Sequence, residues 1–571
     1  MQNLSKPFHI LASKLTASIF IIVILIFVWV FVGREEKLSL RDYNVLWITA
    51  ESMKPEHLGT FGYNLPTSPN IDAFAKTGTK FNLCINPSAW TSENMVSNFT
   101  SLYSPIHGVE TREKHVKESW YLPLEKLSDL GYEIPYTQSF QQDTNFKNLG
   151  FKGGFGKQEP EEWLEEFKNS KFFLWIHLLQ THLPYDPPEK HRNLFFNESL
   201  IPNSESRKRV DVVRGQVVIP RGTVQFNKEE DLPAIRALYD ADVHSMDERF
   251  GEIIAKVESL GLREKTIIIF SADHGEEQLE HGFIGHASTA RGGSMFDEII
   301  RVPLIISLPG SIPENHAVKS QVRGVDIIPT IFELLNIPLE DNYSGKSLIP
   351  LIHARGETED RVGYSASSYG GYQEPDPNNI KNRMYSVRTR EWKLVKYVFN
   401  PNPIQYFLFN LKEDPQELYD VKGKFPEKLE SMIKIMDQWL YDSNDLRTQL
   451  DSKAEDVKKN LELSGDSAGD LSAIEILYPL ENAEISFVSS GGTVALTWKG
   501  NALTEYLVDL EIGKGDQQLK TSLTVKGPEL KRTFSESYWN EYVRRYGHVK
   551  FRVKVNRVGA AWSDWRSVKL L

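Results

Sequence analysis

The run Asp273-His274-Gly275-Glu276-Glu277 follows directly on Thr266 to Ala272, where Ile267, Ile268, Ile269 and Phe270 stand together. Four apolar β-formers between small residues predict a strand buried on both faces, so the acid and the imidazole emerge where it ends. In an open α/β sheet that rim is where ligands bind, which makes Asp273 and His274 candidate metal ligands. On its own, Asp-His-Gly is equally a turn with an exposed acid and a solvated histidine. Two more buried runs end in the same way: Asn44 to Ala50 delivers Glu51, and Phe172 to Leu179 delivers His182. Three strands each ending in a carboxylate or an imidazole point to convergence at one sheet edge. A fourth element, Ser88 to Met95, sets Thr91 at the entry to an apolar helical stretch. A hydroxyl there is either the helix N-cap or a nucleophile at a positive helix end, which favours an alkoxide and an incoming anion. Spacing does not choose between them.

In chain order these elements read Asn44-Val-Leu-Trp-Ile-Thr-Ala-Glu51, Ser68-Pro-Asn-Ile-Asp-Ala-Phe-Ala75, the Thr91 helix with His107-Gly108-Val109, His182-Leu-Pro-Tyr185, Asp273-His-Gly-Glu-Glu277 and Glu280-His281-Gly282. Gly285-His286, Arg301-Val-Pro-Leu304, Asp326-Ile-Ile-Pro-Thr330, Gly345-Lys-Ser-Leu348 and Leu408 to Pro415 follow. As a set, over roughly residues 43 to 465, this resembles the sulfatase family of the alkaline phosphatase superfamily. The resemblance implies an α/β fold with an alkaline phosphatase-like doubly wound sheet, and an enzyme that cleaves sulfate or phosphate esters.

The departures from the family bear on the chemistry. Formylglycine sulfatases carry Cys or Ser in a Cys-x-Pro-Ser-Arg motif, and counting back from His107-Gly108 Thr91 holds that place, with Glu93 and Met95 where Pro and Arg fall. Threonine cannot become formylglycine. The single cysteine, Cys84, lacks the motif's arginine and reads as a small buried apolar residue. Glu51, Thr91, Asp273 and His274 are similar to the ligand set of lipoteichoic acid synthases and phosphoethanolamine transferases, which implies one divalent cation. Mixed oxygen and nitrogen ligation favours Mn or Zn over Ca or Mg. His182 and His286 match family histidines that stabilise the transferring group or protonate the leaving group. His281 is a weaker candidate, and His177, on an apolar strand, reads as a core histidine. A threonine ester must be cleared by a second attack from water or another alcohol, which favours phosphate chemistry, hydrolytic or transferring. The competing class is a catalytically inactive, sulfatase-fold binding protein of the cell envelope; survival of every presumed ligand favours the enzyme.

Around this core, 571 residues are too many for one domain, and a formal charge of −11 gives no basic footprint for nucleic acid. One cysteine excludes an internal disulfide framework. After a short tail, residues 1–16, the charge-free run from Ala17 to Val32 predicts an uncleaved transmembrane anchor, 17–33, because no Ala-x-Ala-like site ends it. Residues 34–42 form a linker. The resemblance to exported enzymes places the catalytic domain, 43–465, outside the cytoplasm, single-pass and membrane-attached, facing an envelope or extracellular ester. Within it Leu232 to Glu258 predicts the clearest amphipathic helix, and Leu450 to Glu462 a solvated terminal helix. A linker, 466–471, precedes residues 472–571, where apolar residues alternate (Val494, Leu496, Trp498; Tyr506, Val508, Leu510; Val549, Phe551, Val553) and predict a β-sandwich. Its closing Trp562-Ser-Asp-Trp565 resembles the last strand of fibronectin type III modules, with a spacer or glycan-contacting role open to it.

Overall fold

The computed structural model describes residues 42–137, 143–151, 159–354 and 360–463, and beyond them strands between 476 and 570 together with Ser563. The expected anchor at 17–33 and the linkers 34–41 and 466–471 lie outside the described residues. Among the described residues, no helix is long and apolar enough to cross a membrane. The chain divides into two compact units, Met1–Ala454 and Glu455–Leu571.

The first unit is built on seven strands: β1 (Asn44–Ala50), β2 (Thr79–Ile85), β3 (Tyr136–Thr137), β4 (Phe173–Leu178), β5 (Thr266–Ala272), β6 (Arg301–Ser307) and β7 (His316–Arg323), in the order β3-β4-β1-β5-β6-β2-β7. Every residue of β1, β4 and β5 is buried, as continuous Val, Leu, Ile and Phe runs require of strands covered on both faces. The sheet is mixed rather than wholly parallel: β6 opposes both β5 and β2, while the other pairings are parallel. Neither Pro303 within β6 nor the Thr79 to Ile85 run of β2 carries a period that announces this reversal, so the doubly wound expectation needs that correction.

Register positions the site. Ala50 pairs with Leu178 on one side and with Ala272 on the other, so Glu51 and Asp273 leave neighbouring strands at the same level. Helix α1 (Pro69–Ala75) and the ten-residue helix α2 (Thr91–Thr100) precede the long helix α3 (Lys228–Ser259). Asn227 caps α3 by accepting from the Glu229 and Glu230 amides, at 3.1 and 3.4 Å. Its apolar stripe, Ile235, Leu238, Met246, Phe250 and Ile253, is buried, and Phe250 meets Phe270 of β5 edge-on at 5.2 Å.

A second, antiparallel sheet follows, β8 (Gly363–Ser368) to β9 (Asn382–Arg388), β10 (Trp392–Phe399) and β11 (Gln405–Asn410). The predicted terminal helix begins much earlier than Leu450: α4 runs Pro426–Leu463, and its Trp439 stacks on Tyr364 of β8 at 4.9 Å. The second unit contains a three-stranded and a five-stranded sheet. Within it Glu505–Ile512 and His548–Val555 pair antiparallel, with Val508 opposite Val553, and Tyr506, Val508, Phe551 and Val553 are buried as period two demands.

Candidate active site

Glu51, Asp273 and His274 are fully buried at the β1 and β5 ends, and Thr91 is 6% exposed. Thr91 does not cap its helix. Trp90 occupies the N-cap position and Thr91 is the first helical residue, so the hydroxyl is released for other contacts. Glu93 folds back over this entry, accepting from Ser88 Oγ at 2.8 Å and Trp90 Nε1 at 2.6 Å. Burial, with the Glu110 charge adding to it, pushes the Glu93 carboxyl up to about 8. Thr91 Oγ1 lies 3.3 Å from each carboxylate oxygen of Glu51 and 3.5 Å from His274 Nε2. His274 Nε2 is in turn 3.3 Å from Glu51 Oε1 and 3.4 Å from Asp273 Oδ2. The four residues thus come together around one point.

Ser52 fastens the two acidic strand ends. It adopts a left-handed backbone (φ 53°), its amide donates to Asp273 Oδ1 at 3.0 Å, and its hydroxyl reaches Glu51 Oε1 at 3.2 Å. Tyr239 of α3 donates to the Ser52 carbonyl at 2.6 Å, which ties the long helix to the rim. Asp273 Oδ2, although buried, accepts no hydrogen bond among the described residues. An orphaned carboxylate oxygen among an imidazole, a hydroxyl and a second carboxylate is the donor set a divalent cation satisfies, so these residues fit the metal that the sequence implies.

The electrostatics follow from packing charges where water is excluded. Burial alone would raise Glu51, but hydrogen bonds and charge from His177 and His274 hold it well below the usual carboxylate range. Burial and the Glu51 charge raise Asp273 to about 6. Burial would depress His274, yet the Asp273 and Glu51 carboxylates lift it to about 10. His286 is held well below its usual value by burial and by the charges of His274 and His182.

His286 lies against His274, ring centres 4.2 Å apart, and His182 meets His286 edge-on at 5.5 Å. His177 is buried on β4, as expected of a core histidine, and it also reaches the site: its Nε2 is 2.8 Å from Glu51 Oε2 and 3.9 Å from Asp273 Oδ2. It pairs with Thr49, one residue before the strand ends, and the signal available in the sequence was a lone imidazole directly preceding the strand terminus. Glu276, which the sequence reading did not single out, sits with Oε2 3.3 Å from His286 Nδ1 and is raised to about 7, first by burial. His281 is not part of this cluster; it stacks on Phe296 at 3.6 Å, near Glu298. Cys84 is buried in β2 within the main core, where burial drives its thiol far above the usual range.

Two family models match this chain: "Sulfatase" over residues 43–167 and 157–337, and the C-terminal model "N-sulphoglucosamine sulphohydrolase, C-terminal" over 290–445. The chain belongs to the sulfatase family. Among curated relatives, arylsulfatase K of Gallus gallus is 37% identical over 220 residues, covering 38% of this chain and 38% of that protein. Arylsulfatase K of Homo sapiens is 36% identical over 210 residues, 36% of each chain, and that of Mus musculus 29% over 306 residues, 50% of this chain and 53% of its own. The chain therefore matches about half or less of the length of these relatives. Among solved structures, a protein in complex with its substrate D-glucosamine-2-N,6-O-disulfate superposes with TM-score 0.55 at 17% identity, covering 71% of this chain and 98% of the other. A phosphonate monoester hydrolase of Agrobacterium radiobacter gives 0.54 at 19% identity, covering 72% and 96%. Identity this low establishes a shared fold, the mixed α/β sulfatase fold.

Proposed function

We propose that this sulfatase-family hydrolase cleaves phosphate or sulfate esters with Thr91 as an unmodified nucleophile. The observation that carries the reading is the Thr91 hydroxyl, held 3.3 Å from both Glu51 oxygens and 3.5 Å from His274 Nε2 rather than spent on capping its helix. Glu51, Thr91, Asp273 and His274 would hold a divalent cation, Zn or Mn by their mixed donors, which when bound lowers the hydroxyl pKa and offsets charge on the ester. Thr91, its proton given up to solvent, forms the new bond from Oγ1 to sulfur or phosphorus, and the ester oxygen leaves with a proton from His182, the more exposed imidazole at the cluster's edge. Water then attacks the threonine ester, returning the hydroxyl and releasing the inorganic anion. Glu276 orients His286 through Nδ1.

The need to clear an ordinary threonine ester, without the hemiacetal collapse open to formylglycine, is what favours a phosphate ester; the arylsulfatase K relatives make an aryl sulfate the first sulfate ester to try. The charge-free segment 17–33 supports membrane attachment with the catalytic unit outside the cytoplasm, and the second unit's alternating strands support a fibronectin type III-like spacer or glycan contact. The full chain, stripped of metal, should regain hydrolysis of at least one aryl phosphate mono- or diester or aryl sulfate on addition of Zn or Mn. No turnover of any of these by the reloaded protein would remove the enzymatic reading. A chain released from membranes by high salt would remove the anchor.

A further inference from the structure

The chain beside His286 is joined to the Thr91 side of the site by a short series of backbone bonds. His286 holds the N-cap position of the four-residue helix Ala287–Ala290, and the Ala290 amide closes the turn by donating to the His286 carbonyl at 2.8 Å. β8 binds the loop that leads into Thr91: its Ala366 amide donates to the Pro87 carbonyl at 2.9 Å, and Ser365 Oγ donates to the Asn86 carbonyl at 2.7 Å. The chain then crosses to the His286 side, where the Tyr372 amide donates to Ser288 Oγ at 3.0 Å and the Tyr369 carbonyl accepts from the Gly293 amide at 2.7 Å. Tyr369 and Tyr372, both partly buried, therefore stand where the two sides meet. Spare hydrogen-bonding capacity lies at the same joint. Ser294 and Ser368, next to the paired Gly293 and Tyr369, are buried, and their hydroxyls have no partner among the described residues.

Arg291 ends the His286 helix in a conformation that disfavours any side chain. Its φ is 46°, in the left-handed region where helix ends commonly place glycine. Glycine follows at 292 and 293, yet the left-handed position carries the arginine. The turn is fixed from outside: the Ile219 and Arg221 amides donate to the Thr289 and Ala290 carbonyls at 2.8 and 2.9 Å, and the Arg221 guanidinium donates to the Gly292 carbonyl and to buried Glu277. Neighbouring arginines are spent on the protein, Arg112 on the Tyr372 and Glu374 carbonyls at 2.7 and 3.0 Å, and Arg383 on Glu110 at 3.0 Å. Arg291 is exposed and has no hydrogen bond or ion pair among the described residues. Backbone strain that holds out an unspent side chain is a feature of ligand clamps.

We infer that Arg291 binds a second anionic group of the substrate, a sulfate, phosphate or carboxylate, across one ring from the ester that is cleaved. The inference rests on ester cleavage at Thr91 and narrows the class of ester: a ring flanked by Tyr369 and Tyr372 that carries one anionic ester and one further anion. Spacing supports it. The helix between His286 and Arg291 advances about 6 Å over four residues, comparable with the separation of substituents on opposite sides of a six-membered ring. The guanidinium offers such an oxyanion paired donors in one plane.

Two non-hydrolysable probes test this, benzene-1,4-disulfonate and benzenesulfonate, each titrated calorimetrically into the full-length, metal-loaded protein. Wild type should bind the disulfonate about tenfold more tightly, as one added charge-assisted contact allows. Arg291→Gln should lose that preference, and Arg291→Lys should keep part of it. Arg291→Gly suits the left-handed backbone, so it should melt at least as high as wild type and still lose the preference, a combination that a structural arginine would not give. A preference that survives in Arg291→Gly, or a wild type that binds the two probes equally, would overturn the subsite and leave the ester site standing. A wild type that binds neither probe would remove both.

Discussion

Replacing Thr91 with alanine should separate catalysis from folding. The side chain loses its hydroxyl and one methyl group at the first position of α2, but the N-cap position belongs to Trp90 and no capping hydrogen bond is lost. Two long contacts to Glu51, at 3.3 Å each, are lost, while Glu51 keeps Ser52 Oγ at 3.2 Å, His177 at 2.8 Å and His274 at 3.3 Å. A shared hydrogen bond of that length contributes about 1 kcal/mol. The methyl contributes ~0.8 kcal/mol, and alanine's better helix propensity returns about 0.5 kcal/mol. The net loss, roughly 1–1.5 kcal/mol, amounts to a few degrees in Tm. Removing the nucleophile should lower kcat/KM by at least about 10³-fold, some 4 kcal/mol of barrier. Thr91→Ser should keep part of the activity because it keeps the oxygen. Release of the aryl alcohol from the ester that the reloaded enzyme turns over, with a thermal melt on the same samples, reads both numbers. Activity of Thr91→Ala within about tenfold of wild type would refute the nucleophile, since no mechanism that forms a bond to Oγ1 tolerates its removal.

Cys84→Ser should leave kcat within about twofold, while burying an unsatisfied hydroxyl lowers stability by about 1–3 kcal/mol in a denaturant titration. Glu93 is raised to about 8 in the folded protein from the ordinary carboxyl value of 4.5, so its contribution is fully present below pH 4.5 and lost as pH rises through about 8. Glu93→Gln, which still offers an oxygen to Ser88 and Trp90, should therefore melt higher than wild type at pH 8 and about equally at pH 4.5; equal melting at both would show that Glu93 is not held neutral. Saturating Zn or Mn should raise Tm, a ligand at 100 times its Kd adding about 2.7 kcal/mol, and Asp273→Asn should abolish most of that rise. A metal-induced shift undiminished in Asp273→Asn would place the ion elsewhere.

Much of this site was legible because buried parallel strands have an unambiguous signature. Ile267 to Phe270 and Val45 to Ile48 could only be strands covered on both faces, and in-register pairing then brings Glu51 and Asp273 to one edge. The hydroxyl was harder: a Thr at a helix entry is a cap more often than not, and only the three-dimensional structure shows that Trp90 holds the N-cap position, with no capping hydrogen bond from its side chain. An imidazole within Phe173-Leu-Trp-Ile-His-Leu178 reads as core packing and is buried there, but its contact with Glu51, distant in sequence, carried no local signal. The reversal of β6 and the early start of α4 escaped for a related reason. Strand direction is set by connections and neighbours, and the helix from Pro426 carries a mixed polar surface whose buried stripe depends on the second sheet it packs against.

The most direct test of Thr91 as the nucleophile is peptide mass spectrometry of the full-length, metal-loaded enzyme, quenched in acid during turnover of a phosphate or sulfate ester. The predicted result is a phospho- or sulfo-adduct on the otherwise unmodified Thr91, lost when excess substrate is removed before quenching and absent in Thr91→Ala. An adduct on any other residue, an oxidised Cys84 in particular, with undiminished turnover by Thr91→Ala, would contradict it.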